Sequence, residues 1–288
     1  MAFLASTVMA QSSSQLNGSV QDPSGASVAN ANITLTDTAT GFQRKATSNA
    51  SGLYQFLDLP PGEYRLEATA TGFAKIVVSN VTIQVKLPST VPLRLQVAGE
   101  TTSVNVEGEA PLINRTDASL GNVVAGDQIA ELPIAARNVV QLLSLQPGVA
   151  YIGGIAEDNR ATDTRSGAVN GMRSDQSNVT LDGVEVNDQN FGYAFSSVLN
   201  VPPDSVQEFR VTTANSTADS GYSSGAQVAL ATKSGTNSFH GSAYEYNRNT
   251  IFSANDPFLK NSQLSSGQSN TAPKLLYNVF GVTAGGPI

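Results

Sequence analysis

Cysteine and tryptophan are both absent from this 288-residue chain, and there is a single histidine, His240. Without a thiol there is no disulfide framework, no cysteine nucleophile and no cysteine-ligated metal. One imidazole excludes a multi-histidine metal site and nearly all histidine-dependent triads. Charge is also scarce: Asp, Glu, Lys and Arg make up 14%, against roughly 25% in an average soluble domain. The 16 cations form no patch and the net charge is −7. Phosphate neutralisation needs clustered cations, so nucleic acid is excluded as a partner. No apolar run approaches the ~18 residues of a spanning helix.

In place of charge stand Ser, Thr, Asn, Gln and Gly, the mix of secreted and surface β proteins. The first ten residues, MAFLASTVMA, are small and apolar and give way abruptly to QSSSQ. Val8-Met9-Ala10 fits a signal-peptidase site, so residues 1–10 read as a truncated signal peptide and imply export.

Residues 15–97 carry short strand patterns at regular spacing. ANITLTD alternates Ile33 and Leu35 against Thr34 and Thr36, and EYRLEATA sets Tyr64, Leu66 and Ala68 against Arg65, Glu67 and Thr69. Turns fall between them at Asp22-Pro23-Ser24-Gly25, Thr40-Gly41, Asn49–Gly52 and Pro60-Pro61-Gly62. Six or seven such strands predict a β-sandwich. Residues 98–110, AGETTSVNVEGEA, form an exposed link with alternating Val104 and Val106, which reads as an edge strand or plain linker or, more sharply, as an extended peptide able to add as a strand to a partner's sheet edge.

From Gly126 to Val149 the spacing predicts helix. Asp127 is placed to cap Gln128–Leu132 and Asn138 to cap Val139–Leu145, with Pro147-Gly148 as the stop. Val139, Leu142, Leu143 and Leu145 form the core face. Tyr151–Ser166 reads as an exposed loop. The central stretch runs from Val169 to Lys233. Asn178–Leu181 and Val184–Val186 meet there at Asp182-Gly183, a strong short-range hairpin signal. Val206–Thr212 and Ala226–Thr232 read as strands flanking the small-residue loop Asn215–Gly225.

These motifs carry two resemblances. GSVQDPSG, SNASGLYQF and LPPGEYRLEATATGF resemble the carboxypeptidase regulatory-like domain, an Ig-like or transthyretin-like sandwich, over residues 15–97. Domains of this type are accessory, so no peptidase is implied. ELPIAARNVVQLLSLQPGV, then VNGMRSDQSNVTLDGVEVND, then SVQEFRVTTANSTADSGYSSGAQVALATKSG resemble the plug of TonB-dependent outer-membrane receptors, in the Oar-like branch. That resemblance implies a plug at residues 111–236, with Gly171, Arg173, Leu181, Asp182, Gly183 and Val184 as plug-motif positions. It implies a TonB box at Thr102, Ser103, Val104, Asn105 and Val106, within the link. SFHGSAYEYNRN and NVFGVTAGGPI resemble early barrel strands, so residues 237–288 are expected to begin an outer-membrane β-barrel.

The stretch beyond His240 is far too short for the ~22 strands of a plugged transporter barrel, at ~9–11 residues each. The expectation is therefore a mainly β chain: sandwich, mixed α+β plug and the first strands of an incomplete barrel. It is expected to be the N-terminal part of a receptor, without cofactor or catalytic centre. The resemblance implies TonB as periplasmic partner, an unidentified transported substrate, and an outer-membrane location with residues 11–236 periplasmic or inside the lumen. Without its barrel, order is expected to fail in Tyr151–Ser166 and after Asn249. The alternative is a secreted or surface sandwich for adhesion or carbohydrate binding.

Other constellations are weak. Asp175, Asp182, Glu185 and Asp188 lack the spacing of an EF-hand, and turn chemistry accounts for them. Asp182 with Glu185 has no flanking sugar platform for a glycosidase. Ser223-Ser224-Gly225 and Lys233-Ser234-Gly235 make no nucleophile elbow. Arg137, Arg160, Arg165 and Arg173 suit solvated loops or barrel-facing salt bridges better than an anionic substrate.

Overall fold

The computed structural model describes residues 13–98, 103–106, 118–150 except 133, 135, 136 and 138, 168–187 except 174 and 175, 199, 201–221 and 223–287. The chain divides into two compact units, Met1–Ser234 and Gly235–Ile288.

The first unit opens with the sandwich. Its strands are β1 (Ser14–Gln21), β2 (Asn32–Asp37), β3 (Gln43–Thr47), β4 (Leu53–Leu59), β5 (Gly62–Thr69), β6 (Lys75–Ile83), β7 (Ser89–Thr90), β8 (Leu93–Arg94) and β9 (Ser103–Val106). One sheet runs β4-β1-β7, with β8 also on β1; the other runs β3-β2-β5-β6-β9. The period-two pattern decides which side chains go inside: β1 alternates buried and half-buried along its whole length. Leu16, Ile33, Leu35, Leu59, Leu66, Ile83, Leu93 and Leu95 are enclosed between the sheets. Asp22 organises the first turn, its Oδ1 accepting the amides of Ser24 (2.8 Å) and Ala26 (2.9 Å). Gly18 is there because space forbids a side chain: a Cβ would run into the Val91 carbonyl and the Tyr54 ring. The Tyr54 hydroxyl donates to that carbonyl at 2.6 Å, tying β4 to the turn before β8.

The second half of this unit has β10 (Leu120–Ala125), α1 (Gly126–Glu131), a 3-10 segment Val139–Leu145, β11 (Val149–Ala150), β12 (Ala168–Val169), β13 (Met172–Arg173), β14 (Asn178–Leu181), β15 (Val184–Glu185), β16 (Val206–Ala214) and β17 (Gln227–Thr232). The main sheet runs β10-β16-β17-β14-β15, parallel only between β14 and β17. On one face lie Phe209, Val211, Val228 and Leu230, packed with Ile129, Val139, Leu142 and Leu143. A smaller sheet runs β11-β12-β13.

Two local expectations are corrected. The helix begins at Gly126 with Ala125 as its cap residue, so Asp127 lies inside it and does not cap it. Val139–Leu145 is a 3-10 helix, and Leu145 is 64% exposed rather than on the core face. Val139, Val140, Leu142 and Leu143 are buried, while Leu145 is the last residue of the segment, next to the Pro147-Gly148 stop. Asn138 and Tyr151–Ser166 lie outside the described residues.

The second unit is a long hairpin, β18 (His240–Asn249) and β19 (Leu276–Gly285), with α2 (Pro257–Ser265) between them. Pairing is unbroken from His240 opposite Gly285 to Asn249 opposite Leu276. Residues 250–287, part of the stretch where order was expected to fail, are described, with β19 paired along its whole length. Asp256 caps α2 by accepting the amides of Phe258 and Leu259 (2.9 and 3.0 Å), with Pro257 at the first helical position. Along β19, exposed Leu276, Phe280, Val282 and Ala284 alternate with half-buried Tyr277, Val279, Gly281 and Thr283. Ten-residue alternating strands are what a barrel wall requires. No described helix is long and apolar enough to cross a membrane, which leaves β-barrels untouched.

Candidate functional site

Asp182-Gly183 is the turn between β14 and β15. Asp182 has φ 49° and Gly183 φ 86°, two consecutive left-handed residues. That conformation matches the strand twist and restricts the pair to residues such as Asp-Gly. The Asp182 carboxylate is committed within its own sheet: Oδ1 accepts the Thr232 amide at 2.9 Å and Oδ2 the Thr232 hydroxyl at 2.8 Å. Leu181 pairs with Val184 beside it. The turn thus joins the β14–β15 hairpin to the end of β17. Gly171 occupies a second turn of the same kind, Asn170-Gly171 (φ 49° and 83°), between β12 and β13. The Asn-Gly dipeptide, among the strongest short hairpin signals, is the sequence feature that marks this turn, of which only Gly171 is among the expected motif positions. The Asn170 side chain donates to the Thr213 carbonyl at 2.9 Å, fixing the small sheet to β16.

The second face of the main sheet meets the sandwich. Glu208 and Arg210 of β16 and Ala229 and Ala231 of β17 lie there, opposite the apolar core. Val85, from the loop after β6, is buried with the two alanines, and its amide donates to Glu208 Oε2 at 2.6 Å. Gln207 Nε2 donates to the Pro61 carbonyl at 3.3 Å. Beside this junction is a cavity of about 200 Å³, bordered by Lys86, Asn178, Glu185, Arg210, Thr212 and Ser220.

Burial pushes the Glu208 carboxyl from its ordinary 4.5 up to about 7; the Val85 amide and the Arg210 charge pull it down by less. An acid whose folded pKa is raised binds more protons folded than unfolded. Its contribution is therefore favourable below about 4.5 and is lost as pH climbs to about 7. Glu208→Gln keeps the acceptor and removes the titration. Between pH 5 and 8 the native chain is expected to lose roughly 2–3 kcal/mol relative to that variant. Urea midpoints of both proteins at the two pH values test this; parallel profiles would refute it.

Of the four arginines, Arg137 is placed in a buried ion pair, Nη2 to Asp204 Oδ2 at 3.0 Å. It holds the loop after α1 against the turn preceding β16. Arg160 and Arg165 lie outside the described residues, and Arg173 is on β13.

At the position expected for the box, Ser103–Val106 form an edge strand. β9 pairs in parallel with β6: Lys75 with Ser103, Ile76 with Val104, Val77 with Asn105 and Val78 with Val106. Thr102 lies outside the described residues. The plug-motif positions and these four therefore occupy separate sheets.

Among the described residues no group of three or more His, Asp and Glu is placed to hold a metal ion. Asp175 and Asp188 lie outside them. Ser223 donates its hydroxyl to the Gln176 carbonyl, a structural bond in the loop before β17.

Comparison with protein families separates the chain into three matches. Residues 15–96 match the carboxypeptidase regulatory-like domain, 115–228 the TonB-dependent receptor plug domain, and 231–288 an outer membrane beta barrel domain. The three matches follow one another along the chain: carboxypeptidase regulatory-like domain, then TonB-dependent receptor plug domain, then outer membrane beta barrel domain. The resemblance seen in the motifs is borne out, as is the mainly β architecture.

Among curated proteins, the TonB-dependent transporter Oar of Myxococcus xanthus is 26% identical over 273 residues, covering 90% of this chain. The chain spans 24% of that relative's length. Among solved structures, the siderophore receptor PirA from Acinetobacter baumannii is 22% identical over 49% of this chain and 21% of its own, with a TM-score of 0.39. The pilus 2b backbone protein of group B streptococcus is 16% identical over 30% of this chain and 42% of its own, at 0.23. Structural likenesses this small carry no argument.

Proposed function

We propose that this chain is the periplasm-facing and lumen-plugging part of an outer-membrane receptor that takes up its substrate at the expense of energy delivered by TonB. The observation that supports this most is the order of parts along one chain: sandwich, short β strand, plug, and ten-residue alternating strands. Substrate binds above the plug. TonB pairs with Thr102–Val106 by strand addition, a mode in which main-chain hydrogen bonds supply affinity and the sequence need only be extended and free of proline. Tension on that segment then rearranges the plug. The arrangement of the plug suits such a role: its motif residues form turns and inter-strand bonds, and Asp182 is committed to Thr232 rather than to chemistry.

A peptide spanning Gly99–Gly108 is expected to bind the C-terminal domain of the cognate TonB, and the 288-residue chain to lose that binding when Thr102–Val106 is deleted. Retention of full binding by the deletion variant would remove the assignment of the box. Substrate identity rests on barrel loops of the whole receptor, and an uptake assay in cells carrying the full gene is the measurement that reports it.

A further inference from the structure

The box segment is already paired in this chain, and the partner is the sandwich. β9 is the last strand of the sheet β3-β2-β5-β6-β9, and it lies parallel to β6 through four consecutive residue pairs. Strand addition needs an unpaired edge, and an edge strand such as β6 would otherwise be a template for one. The chain is also anchored beside that edge. The Ala74 amide donates to the Gln96 carbonyl at 2.8 Å and the Ala98 amide to the Gly72 carbonyl at 3.0 Å, while Phe73 bridges Val97. Only residues 99–102 separate this anchor from Ser103. A tether that short holds the segment at an effective concentration on the order of mM, which an incoming partner must outcompete. Parallel pairing is slightly less stable per residue than antiparallel, and four residues are few. The pairing is thus suited to being exchanged.

From this geometry we infer that the β6 edge is a storage dock for the box: the sandwich and the energy-coupling partner compete for the same strand, and TonB engages only after β9 leaves β6. The inference rests on the box reading above and assigns the regulatory-like domain a task, that of setting how readily the box is offered. It also makes a choice between two geometries. β9 has a second edge with no strand on it among the described residues, and a partner adding there would leave the β6 pairing intact.

A disulfide separates them. The chain contains no cysteine, so Val77→Cys with Asn105→Cys, opposite each other in the register, introduces the only pair; Lys75→Cys with Ser103→Cys is the second variant. In the folded 288-residue chain at least one pair is expected to oxidise. The oxidised chain is expected to bind the TonB C-terminal domain at least tenfold more weakly than the reduced chain, with reductant restoring binding. The free Gly99–Gly108 peptide is expected to bind more tightly than the unmodified chain. Failure of both pairs to oxidise, or unchanged TonB binding once oxidised, overturns the dock while leaving the box reading intact. A peptide that does not bind TonB overturns the box reading itself, and the dock with it.

Discussion

Replacing Arg137 by Ala is expected to destabilise the plug by about 3–5 kcal/mol, the usual consequence of removing one partner of a buried ion pair. The Arg137 and Asp204 side chains are only 9% and 12% exposed, and they meet at 3.0 Å. Without the guanidinium, the Asp204 carboxylate stays in a poorly solvated place with less to compensate its charge. The two residues come from distant parts of the chain. Arg137, itself in the left-handed region at φ 51°, follows α1, and Asp204 sits in the 3-10 turn Pro203–Ser205 that leads into β16. Arg137→Met combined with Asp204→Leu removes both charges and is expected to recover most of the loss. Urea denaturation of the single and double variants forms the cycle. An Arg137→Ala protein within about 1 kcal/mol of the native one would show that the pair is solvated in practice.

Phe209→Ala is expected to cost about 3–5 kcal/mol, the range for truncating an enclosed aromatic ring. Phe209 is fully buried in the middle of β16, where it stands opposite Val124 of β10 on one side and Leu230 of β17 on the other. A cavity there loosens both neighbouring strands at once. Hydrogen exchange should therefore quicken along β10, β16 and β17 together, while β2 and β5 of the sandwich keep their protection. Loss of protection spread equally over the sandwich would mean that the two halves of the first unit unfold as one.

These two sites also show the difference between what is legible in the residues and what is not. Phe209 and Val211 alternate with Glu208, Arg210 and Thr212, so a strand period puts the two apolar side chains on one face. Arg137 looks, in sequence, like three other arginines: a solvated or wall-facing cation. Nothing local to ELPIAARNVV names Asp204, because that partner lies 67 residues on. The helix start at Gly126 escapes the sequence for a different reason. Ala125 caps it in extended conformation while ending β10, so strand pairing sets the boundary and overrides the preference for Asp127 as a cap. Leu145 is exposed at the very end of its segment, where the chain turns away at Pro147-Gly148, and an apolar residue at a segment end carries no local mark of which way it will face.

The sequence by itself determined the local features: the strand period of the sandwich, the Asp182-Gly183 turn, and the alternating ten-residue strands of the second unit. Each depends on neighbours in the chain, on φ preferences and on which side chains prefer to leave water. It also carried the order of domains, which is a property of the chain alone. Tertiary structure decided the rest. Glu208 and Arg210 alternate with Phe209 and Val211 along β16, and it is the packing of Val85 from the sandwich against that face that accompanies burial of the carboxylate and the rise in its titration. Ser103–Val106 read as a link or an edge strand, and only the tertiary structure names β6 as the edge on which it pairs. Pairings of this kind join residues far apart in sequence, through backbone groups that every residue carries, so side-chain identity leaves them unmarked.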